Sequence, residues 1–348
     1  MTAAEEYLSR CLELAENGLG RVAPNPMVGC VIVHEDRIIG EGFHRQYGEA
    51  HAEVIAINEA IKNHGEKILE KSKLFVSLEP CSHTGKTPPC ADLVIEKKIP
   101  EVYVGCRDPF PEVNGRGIKK MKDAGISIHE GILEYECREM NRRFICFHEK
   151  KRPYIILKWA QSLDGFIAPQ KVTGENRWIS NAQSRKLTHK WRSEEQAILV
   201  GSNTVVIDNP ALTVRDWIGK NPLRVVIDPD DVVQQPAGVL DNAAPTLLFS
   251  KTKNLKQGIS EWKSIDFSGD PEIAVLRELA GRKILSVIVE GGAYTLQRFI
   301  DTNLWDEARI FIAGKLLNDG LPAPRIDFNK KTNETVILDD RLFILRNP

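Results

Sequence analysis

The chain has 348 residues, of which 42% are hydrophobic and 27% are charged. These values are typical of a globular protein of about two domains, and they exclude a small single module, wholesale disorder and a collagen-like repeat. With 47 lysines and arginines against 48 aspartates and glutamates, the formal charge is -1, which excludes a global basic field for nucleic acid or anionic lipid.

The first half of the chain alternates helix-like and strand-like segments. An amphipathic helix over residues 3–17 precedes two short strands, 29–33 and 37–42, which are joined as a hairpin. Further helices are predicted over residues 50–62, 91–98 and 117–124, and further strands over 74–78, 101–105 and 126–129. This alternation predicts βαβ crossovers, a sheet covered by helices, and ligands near the carboxyl ends of the strands.

A basic run that ends in Pro153 marks the predicted boundary, which gives domains over residues 1–147 and 148–348. The second domain is also predicted to be α/β. Its strands are expected over residues 154–159, 197–200, 224–227, 246–249, 287–290 and 309–313. Its helices are expected over 183–193, 272–280 and 295–301, and two β-like runs, 335–338 and 342–345, close the chain.

The cysteines indicate a reducing compartment. All seven lie between residues 11 and 146, and the N-terminal segment is acidic and helical. An odd count in such a chain argues against secretion and a disulfide framework, so we expect a cytoplasmic protein. Every apolar run is far shorter than the roughly 20 residues of a membrane helix, and no membrane span is expected.

One histidine and two cysteines form a pattern that is typical of zinc. His51 is followed by Cys81 after a predicted strand and by Cys90 at a predicted helix start, where the helix dipole favours a thiolate. Three such ligands leave a fourth position open for water, which is typical of catalytic zinc. Glu53, two residues from His51 at a helix start, is positioned to move a proton. Separately these residues are more often helix caps or packed side chains, but together they favour a metal site.

The H-x-E and P-C motifs resemble those of zinc nucleobase deaminases, although eight residues separate Cys81 from Cys90 where that superfamily has two. With residues 23–29, His44 and residues 80–90, the pattern is similar to the family of bifunctional deaminase/reductases of riboflavin biosynthesis. The resemblance covers nearly the whole chain and implies an N-terminal cytidine-deaminase-like α/β/α domain.

For this domain the resemblance implies that His51, Cys81 and Cys90 bind Zn²⁺ and that Glu53 is catalytic. The site for the pyrimidine and the ribose phosphate is then lined by Asn25, His44, His83 and Lys86, with Asp108 as a further candidate. A lysine can hold a phosphate as a point charge. The alternative for the loop between the two cysteines is an ordinary solvated loop.

In the second half, residues 287–293 read as a buried strand, a Gly-Gly turn and a helix, and a helix N-terminus binds phosphate well. Gly-Gly is usually only a tight turn, and the absence of G-x-G-x-x-G excludes a Rossmann interpretation. With residues 162–165, 177–180, 201–204 and 208–215, however, this segment resembles the reductase half of the same family. That resemblance implies a dihydrofolate-reductase-like α/β fold and the cofactor NADPH.

The same resemblance assigns two sets of contacts in the second domain. The nucleotide contacts are Ala160, Trp178, Thr204, Asp208, Gly292, Ala293, Tyr294, Thr295, Leu296, Gln297 and Arg298. The substrate contacts are Asn176, Arg192, Leu212, Arg215 and Glu290. Core packing is the alternative for Trp178, and surface ion pairing is the alternative for the two arginines.

The leading hypothesis is a riboflavin-biosynthesis enzyme with two activities. Zinc-dependent hydrolysis deaminates 2,5-diamino-6-(5-phosphoribosylamino)pyrimidin-4(3H)-one, and NADPH then reduces the ribosyl group of 5-amino-6-(5-phosphoribosylamino)uracil to the ribityl form. The expected partners are this small pyrimidine ribose phosphate and a second copy of the chain in a homo-oligomer, without nucleic acid or membrane.

Two other hypotheses remain at this stage. One is a zinc nucleobase deaminase whose C-terminal domain binds nucleic acid, which the lack of a basic aromatic stripe disfavours. The other is a structural zinc protein that serves as an interaction scaffold. Glu53 and the set of three ligands argue against this scaffold.

Overall fold

The computed structural model describes residues 1–82, 88–110, 113–171 and 178–347, apart from the side chains at 331 and 332. The chain divides into two units, Met1–Lys151 and Arg152–Pro348. The division falls four residues after the predicted end of the first domain at 147, because the last helix of unit 1 continues to Lys150. Within the described residues, no helix has both the length and the apolar content needed to cross a bilayer.

Unit 1 has the alternating order that the sequence predicts, with two additional helices. Its elements are α1 (Ala3–Glu16), β1 (Gly29–His34), β2 (Arg37–Phe43), α2 (Ala52–His64), β3 (Lys73–Leu78), α3 (Cys90–Glu96), β4 (Glu101–Cys106), α4 (Arg116–Asp123), β5 (Ser127–Glu130), α5 (Glu134–Met140) and α6 (Arg142–Lys150). The hairpin β1–β2 is confirmed. Helices α5 and α6 are not predicted, and basic residues that resemble a linker form the last turn of α6.

The described strands of unit 1 form one sheet in the order β2-β1-β3-β4-β5. Strand β1 is antiparallel to both neighbours, whereas β3, β4 and β5 are parallel. Because side chains alternate along a strand, Ile32 and Val76 pack against α2, α3 and α4, while Val31 and Phe75 pack against α1 and α5. The unit is therefore an α/β/α sandwich, and α2 and α3 both begin at the edge where β2 and β3 end.

Helix α2 lies directly on β2 because two glycines of the strand carry no side chain. A Cβ atom on Gly42 would lie 2.4 Å from the Ala52 carbonyl oxygen, and one on Gly40 would lie 2.3 Å from the Ala56 carbonyl oxygen. Both distances are far inside van der Waals contact. The two glycines therefore set the position of the first turn of α2, which follows His51.

Unit 2 contains the larger sheet. Its elements are β6 (Tyr154–Ser162), β7 (Phe166–Pro169), α7 (Ala182–Glu194), β8 (Ala197–Gly201), α8 (Ser202–Asp208), β9 (Leu223–Ile227), β10 (Thr246–Ser250), β11 (Leu255–Gln257), β12 (Ser260–Ser264), α9 (Pro271–Gly281), β13 (Ser286–Val289), α10 (Ala293–Asp301), β14 (Glu307–Ala313), β15 (Gly320–Pro322), β16 (Lys331–Ile337) and β17 (Asp340–Arg346). Helix α8 is not predicted from the sequence, since its run of β-branched residues favours a strand. Strands β7, β11, β12 and β15 are not predicted either.

The described strands of this sheet follow the order β11-β12-β10-β9-β8-β13-β6-β14-β17-β16. All strands from β12 to β14 in this order are parallel, and antiparallel strands occupy both edges. Helices α9 and α10 cover one face, and α7 contacts the other, where Trp191 stacks on Phe311. Strands β8, β13 and β6 are neighbours, so their carboxyl ends bring Gly201, Glu290 and the end of β6 to one edge.

We expect Gly42→Ala to displace the first turn of α2 and to destabilise unit 1 by about 1–3 kcal/mol, as overpacking of a tight contact does. Chemical unfolding of the full chain, followed by circular dichroism, measures the change. Gly281→Ala is the matched control, because a Cβ there meets no atom within 4 Å. Equal stability of the two variants would contradict the interpretation of this contact.

Candidate functional sites

Three predicted ligands meet at one edge of the unit 1 sheet. His51 caps the N-terminus of α2, Cys81 follows β3, and Cys90 is the first residue of α3. The Nδ1 atom of His51 lies 3.3 Å from Cys90 Sγ and 3.6 Å from Cys81 Sγ, and the Cys90 backbone N–H donates to Cys81 Sγ at 3.3 Å. One ligand atom from each residue lies within 4.8 Å of the others. The structure therefore brings the three side chains together without any rearrangement.

The spacing and chemistry of this cluster fit zinc. Tetrahedral zinc with bonds of about 2.1 Å to nitrogen and 2.3 Å to sulfur separates these atoms by about 3.6 Å, close to both distances from His51. The hydrogen bond from the Cys90 thiol, together with His51, lowers the pKa of Cys81 to about 4, so this sulfur is a thiolate at neutral pH. The same interaction and burial raise the pKa of Cys90. Contact with Cys81 also raises the pKa of His51, so binding of a cation requires loss of the Cys90 thiol proton and a neutral His51 ring.

Glu53 lies in the first turn of α2 with its side chain buried beside the cluster. Burial raises the pKa of its carboxyl to about 7, opposed by the neighbouring His51 and reinforced by Cys81. The spacing of two residues from His51 would direct the side chains apart inside a helix. Because His51 is the cap residue with extended backbone, both side chains reach the same site.

Asn25 and His44 lie next to the cluster, as the resemblance implies. The His44 Nδ1–H donates to the Ala50 carbonyl at 3.1 Å, so its Nε2 atom accepts from the Asn25 side-chain amide, also at 3.1 Å. The His44 ring is in edge contact with the His51 ring, with centroids 5.4 Å apart. Burial lowers the pKa of His44, which keeps the ring neutral. Asn25 and His44, whose ring has a fixed tautomer, therefore form a polar surface beside the metal cluster.

Two positions that support this site are not predicted. Buried Asn141 forms a pair of 2.8 Å hydrogen bonds with the backbone N–H and carbonyl of Met27, and so holds the segment that carries Asn25. Buried Glu79, two residues before Cys81, accepts backbone N–H groups from Gly115, Gly117 and Ile118 at the start of α4. Both contacts join segments that are distant in sequence, and no local pattern marks them.

Three predicted substrate residues, His83, Lys86 and Asn176, lie outside the described residues. Asp108 is described and is 7% exposed at the carboxyl end of β4. Burial raises the pKa of its carboxyl to about 7, while the backbone N–H of Phe110 donates to it at 2.8 Å. It therefore lies on the same edge of the sheet as Cys81.

In unit 2, a buried ion pair joins two predicted substrate residues. Arg192 of α7 donates from Nε and Nη2 to the two carboxylate oxygens of Glu290, at 2.9 and 2.7 Å. Lys158 of β6, which the sequence analysis misses, lies 3.9 Å from the same carboxylate. Burial alone would raise the pKa of Glu290, but Arg192 and Lys158 lower it to about 2. Arg192 is thus not a surface ion pair, and two cations share one buried anion.

The other predicted substrate residues of unit 2 occupy the segment between α8 and β9. Leu212 is 3% exposed and adopts a positive φ of 53°, whereas the side chain of Arg215 is exposed. The backbone carbonyl of Thr213 accepts from Arg192 at 3.2 Å. This bond connects the segment directly to the Arg192–Glu290 pair.

The Gly-Gly turn after β13 leads into α10 and packs tightly against the end of β8. Gly292 has a φ of 60°, which favours glycine. A Cβ on Gly291 would lie 2.7 Å from the Val200 side chain, and one on Gly201 would lie 2.6 Å from Thr295 Oγ1. Because Gly291 and Gly292 carry no side chain, no Cβ atom shields their backbone beside the N-terminus of α10, a nine-residue helix. This arrangement fits the phosphates of a dinucleotide.

The side chains of the predicted nucleotide-binding residues do not all face the same part of unit 2. Ala160 lies on β6 opposite Phe311 of β14, and Thr204 Oγ1 lies 3.1 Å from the position of a Cβ on Gly291. Trp178 is 53% exposed with the Arg185 guanidinium 4.9 Å from its ring centroid, which excludes the core alternative. Asp208 ends α8 with an exposed side chain.

Along α10 the side chains have different surroundings. Tyr294 is 78% exposed, and Thr295 faces the end of β8. Leu296 packs in the hydrophobic core, and Gln297 accepts the backbone N–H of Arg325 at 2.8 Å. Arg298 is ion-paired with carboxylates of the segment 270–272. The side chains of Leu296 and Arg298 are therefore engaged elsewhere, and the first turn of α10 is the part that is available to a nucleotide.

Comparisons with known proteins match both units. A family model described as "Cytidine and deoxycytidylate deaminase zinc-binding region" matches residues 1–106, and one described as "RibD C-terminal domain" matches residues 153–329. The chain is 40% identical over 322 residues to "Riboflavin biosynthesis protein RibD" of Aquifex aeolicus, covering 91% of this chain and 88% of the relative. It is 41% identical over 334 residues to the protein of the same name from Bacillus amyloliquefaciens, covering 92% and 87%.

Solved structures give the same result. A diaminohydroxyphosphoribosylaminopyrimidine deaminase/5-amino-6-(5-phosphoribosylamino)uracil reductase from Thermotoga maritima is similar with a TM-score of 0.90 and 38% identity over 99% of both chains. RibD from Acinetobacter baumannii is similar with a TM-score of 0.87 and 31% identity over 99% of this chain and 98% of the other.

The Arg192–Glu290 pair gives unit 2 a specific pH dependence. Because the pKa of Glu290 is depressed from 4.5 to about 2, its contribution to stability is present above about pH 4.5 and is lost as the pH falls towards 2. We expect Glu290→Gln to be less stable than the parent by about 3 kcal/mol at neutral pH, and this difference to shrink below pH 4.5.

Tryptophan fluorescence during urea unfolding measures this effect in unit 2 alone, because all six tryptophans lie beyond residue 158. The control is Asp270→Asn, which removes a partly exposed ion pair with Arg298 and should have a small effect. A stability difference for Glu290→Gln that stays constant from pH 7 to pH 2 would contradict the assignment.

Proposed function

The chain belongs to the RibD family of riboflavin biosynthesis proteins, and on that premise we propose that its two units carry out the two reactions named for the Thermotoga maritima relative. Members of this family are bifunctional, and the protein is a zinc-dependent deaminase and an NADPH-dependent reductase with two α/β domains. The match of residues 153–329 to the reductase domain favours this function over a C-terminal module for nucleic acid.

The substrate of the first reaction is 2,5-diamino-6-(5-phosphoribosylamino)pyrimidin-4(3H)-one, and the substrate of the second is 5-amino-6-(5-phosphoribosylamino)uracil. We assign the first to Met1–Lys151 and the second to Arg152–Pro348. The observation that carries the assignment is the His51, Cys81 and Cys90 cluster beside the buried carboxylate of Glu53.

His51, Cys81 and Cys90 are the protein ligands of the zinc ion in this proposal. When bound, zinc would act as a Lewis acid and would lower the pKa of a water ligand to a value near neutrality. One nitrogen and two sulfur donors support this assignment, because His51 Nδ1 already lies 3.3 Å from Cys90 Sγ and 3.6 Å from Cys81 Sγ. A set of three protein ligands leaves room for a reactant, as a catalytic site requires.

Glu53 moves the proton. Its carboxyl group is buried in the turn that begins at His51, within reach of any reactant held at the cluster. It takes a proton from the attacking water and delivers it to the departing amine of the pyrimidine, so the same side chain serves as base and then as acid. Burial excludes bulk water from this exchange.

Asn25 and His44 hold the pyrimidine ring beside the metal cluster. Their mutual hydrogen bond and the bond from His44 to Ala50 fix which atoms donate and which accept. Because these hydrogen bonds hold both side chains in place, Asn25 and His44 orient the pyrimidine ring so that its amino-bearing carbon faces the nucleophile. His83 and Lys86 complete the proposal as contacts for the ribose phosphate.

In unit 2, the sugar phosphate lies against the buried charges. Glu290 accepts hydrogen bonds from sugar hydroxyls, while Arg192 and Lys158 keep it ionised. Arg215 contacts the phosphate with its exposed guanidinium, and Leu212 packs against the substrate. Asn176 is the remaining substrate contact in the proposal.

The nucleotide binds along the edge formed by β6, β8 and β13. NADPH supplies the hydride for reduction of the ribosyl carbon, and the protein supplies its orientation. The bare backbone at residues 291–292 and the first turn of α10 receive phosphate, with Thr204, Asp208, Ala160 and Trp178 around it. This placement is supported by Gly201 and Gly291, where an added Cβ atom would clash with neighbouring side chains.

We further propose that the protein acts in the cytoplasm on this small molecule, without nucleic acid, as a homo-oligomer. None of the seven cysteines, all of which are among the described residues, forms a disulfide, and this is compatible with a reducing compartment. Neighbouring Val206 and Ile207 on α8 are 60% and 78% exposed, which favours contact with another copy of the chain.

Removal of one ligand tests the metal assignment. We expect Cys90→Ser to lower the zinc content per chain and to abolish ammonia release from the diaminopyrimidine, while NADPH oxidation with the uracil substrate persists. Metal analysis and the two assays on the same preparation measure this. Cys146→Ser, at a cysteine outside the cluster, should retain zinc, and a Cys90→Ser protein with full zinc content would refute the ligand set.

A second variant tests the proton transfer. Glu53→Gln keeps the shape but not the acidity, so we expect the rate of ammonia release to fall at least about a hundredfold with zinc retained. The reductase rate serves as an internal standard. Glu59→Gln, at an exposed position on the same helix, should behave like the parent. Ammonia release at the parental rate would show that Glu53 does not transfer the proton.

A further inference from the structure

Residues 211–215, between α8 and β9, belong to no helix or strand in the described structure. This segment carries Leu212 and Arg215, which the proposed function places against the sugar phosphate. Leu212 is almost completely buried and has a positive φ, whereas the Arg215 side chain is exposed. The segment thus anchors one side chain inward and presents the other to solvent.

Four side chains hold the backbone of this segment. The Ala211 carbonyl accepts from Arg224 at 3.2 Å, and the Thr213 carbonyl accepts from Arg192 at 3.2 Å. The backbone N–H of Val214 donates to Asn221 Oδ1 at 2.8 Å, and that of Arg215 donates to His189 Nδ1 at 3.2 Å. Backbone polar groups at four of five residues therefore depend on side chains from α7, from β9 and from the residues just before β9.

His189 occupies the central place in this arrangement. It is 5% exposed and lies three residues before Arg192 on α7, so the two side chains project from the same face one turn apart. Its Nδ1 atom accepts the Arg215 N–H, and its Nε2 atom lies 3.5 Å from Asp216. Burial, together with Arg192 and Arg215, lowers the pKa of His189 and keeps Nδ1 available as an acceptor.

Arg192 connects this arrangement to the rest of the site, because it contacts Thr213 with Nη1 and Glu290 with Nε and Nη2. A shift of the Arg215 backbone would therefore change the distance between its guanidinium and the Glu290 carboxylate. Such a shift would separate the group that receives the phosphate from the group that receives the sugar hydroxyls. Binding of both ends of one substrate requires these two groups at a fixed spacing.

We infer that His189 is a positioning residue of the reductase, which holds residues 211–215 in the conformation that receives the sugar phosphate by accepting the Arg215 N–H. The inference rests on the proposed function of unit 2. His189 contacts the backbone of the segment and not the substrate. Its loss should therefore weaken substrate binding and leave the binding of NADPH unchanged.

The test compares two substitutions at position 189. His189→Phe keeps a ring of similar size but removes the acceptor, whereas His189→Asn places an amide oxygen near the position of Nδ1. We expect His189→Phe to raise the KM for 5-amino-6-(5-phosphoribosylamino)uracil about five- to tenfold, and His189→Asn to restore most of the loss. The Kd for NADPH and the rate of ammonia release should match the parent in both variants.

A second pair of variants protects the test against misfolding. Asn221 is exposed, and Asn221→Ala removes both the acceptor of the Val214 N–H and the donor to the Ala243 carbonyl, whereas Asn221→Asp loses only that donor and retains the acceptor. We expect the same ranking of KM, with Asn221→Ala above Asn221→Asp and the parent. This result supports the inference even if His189→Phe folds poorly.

The outcomes separate the inference from the function on which it rests. An unchanged KM in folded His189→Phe and in Asn221→Ala would overturn the inference alone. A KM for His189→Asn as high as that for His189→Phe would also overturn it, since the acceptor would then not be the cause. If the parent protein does not oxidise NADPH with the uracil substrate, the proposed function fails, and the inference fails with it.

Discussion

Parallel strands constrain the whole architecture of this protein. A parallel pair requires a crossover, and every crossover in a sheet places the carboxyl ends of its strands at one edge. In unit 1 this edge gathers Cys81 after β3 and the starts of α2 and α3, although these residues span some forty positions in sequence. In unit 2 it gathers the end of β8 and Glu290 after β13, and Glu290 lies beside Lys158 in the middle of β6. Both sites follow from the same geometric rule.

The two buried glutamates show how neighbours determine the effect of burial. Burial raises the pKa of Glu53 to about 7, and the neighbouring His51 opposes this shift only in part. The Glu290 side chain is also largely buried, but Arg192 and Lys158 lower its pKa to about 2. The free energy of a buried carboxylate thus depends on the charges placed within about 4–6 Å of it. Glu53 in unit 1 can therefore be protonated near neutral pH, whereas the neighbouring cations keep Glu290 in unit 2 ionised.

The metal cluster could be predicted from the sequence, because its ligands stand at element boundaries that local patterns reveal. His51 and Cys90 each begin a helix, and Cys81 follows a buried strand. The contacts of Asn141 with Met27 and of Lys158 with Glu290 could not be predicted, since each joins residues more than a hundred positions apart. Helix α8 was missed for a different reason, as its β-branched residues favour a strand and tertiary packing overrides that preference.

A formal charge of -1 for the chain conceals a strongly uneven distribution of charge in unit 2. Two cations, Lys158 and Arg192, face one carboxylate, Glu290, so positive charge exceeds negative charge by one among these three described side chains. The exposed guanidinium of Arg215 adds a second positive charge at the end of the segment that Arg192 holds. Under the proposed function, the phosphate is attracted by the exposed Arg215 guanidinium and also by Lys158 and Arg192, whose desolvation was completed on folding. Recognition of a phosphorylated sugar therefore requires no basic surface, and the neutral overall charge is compatible with it.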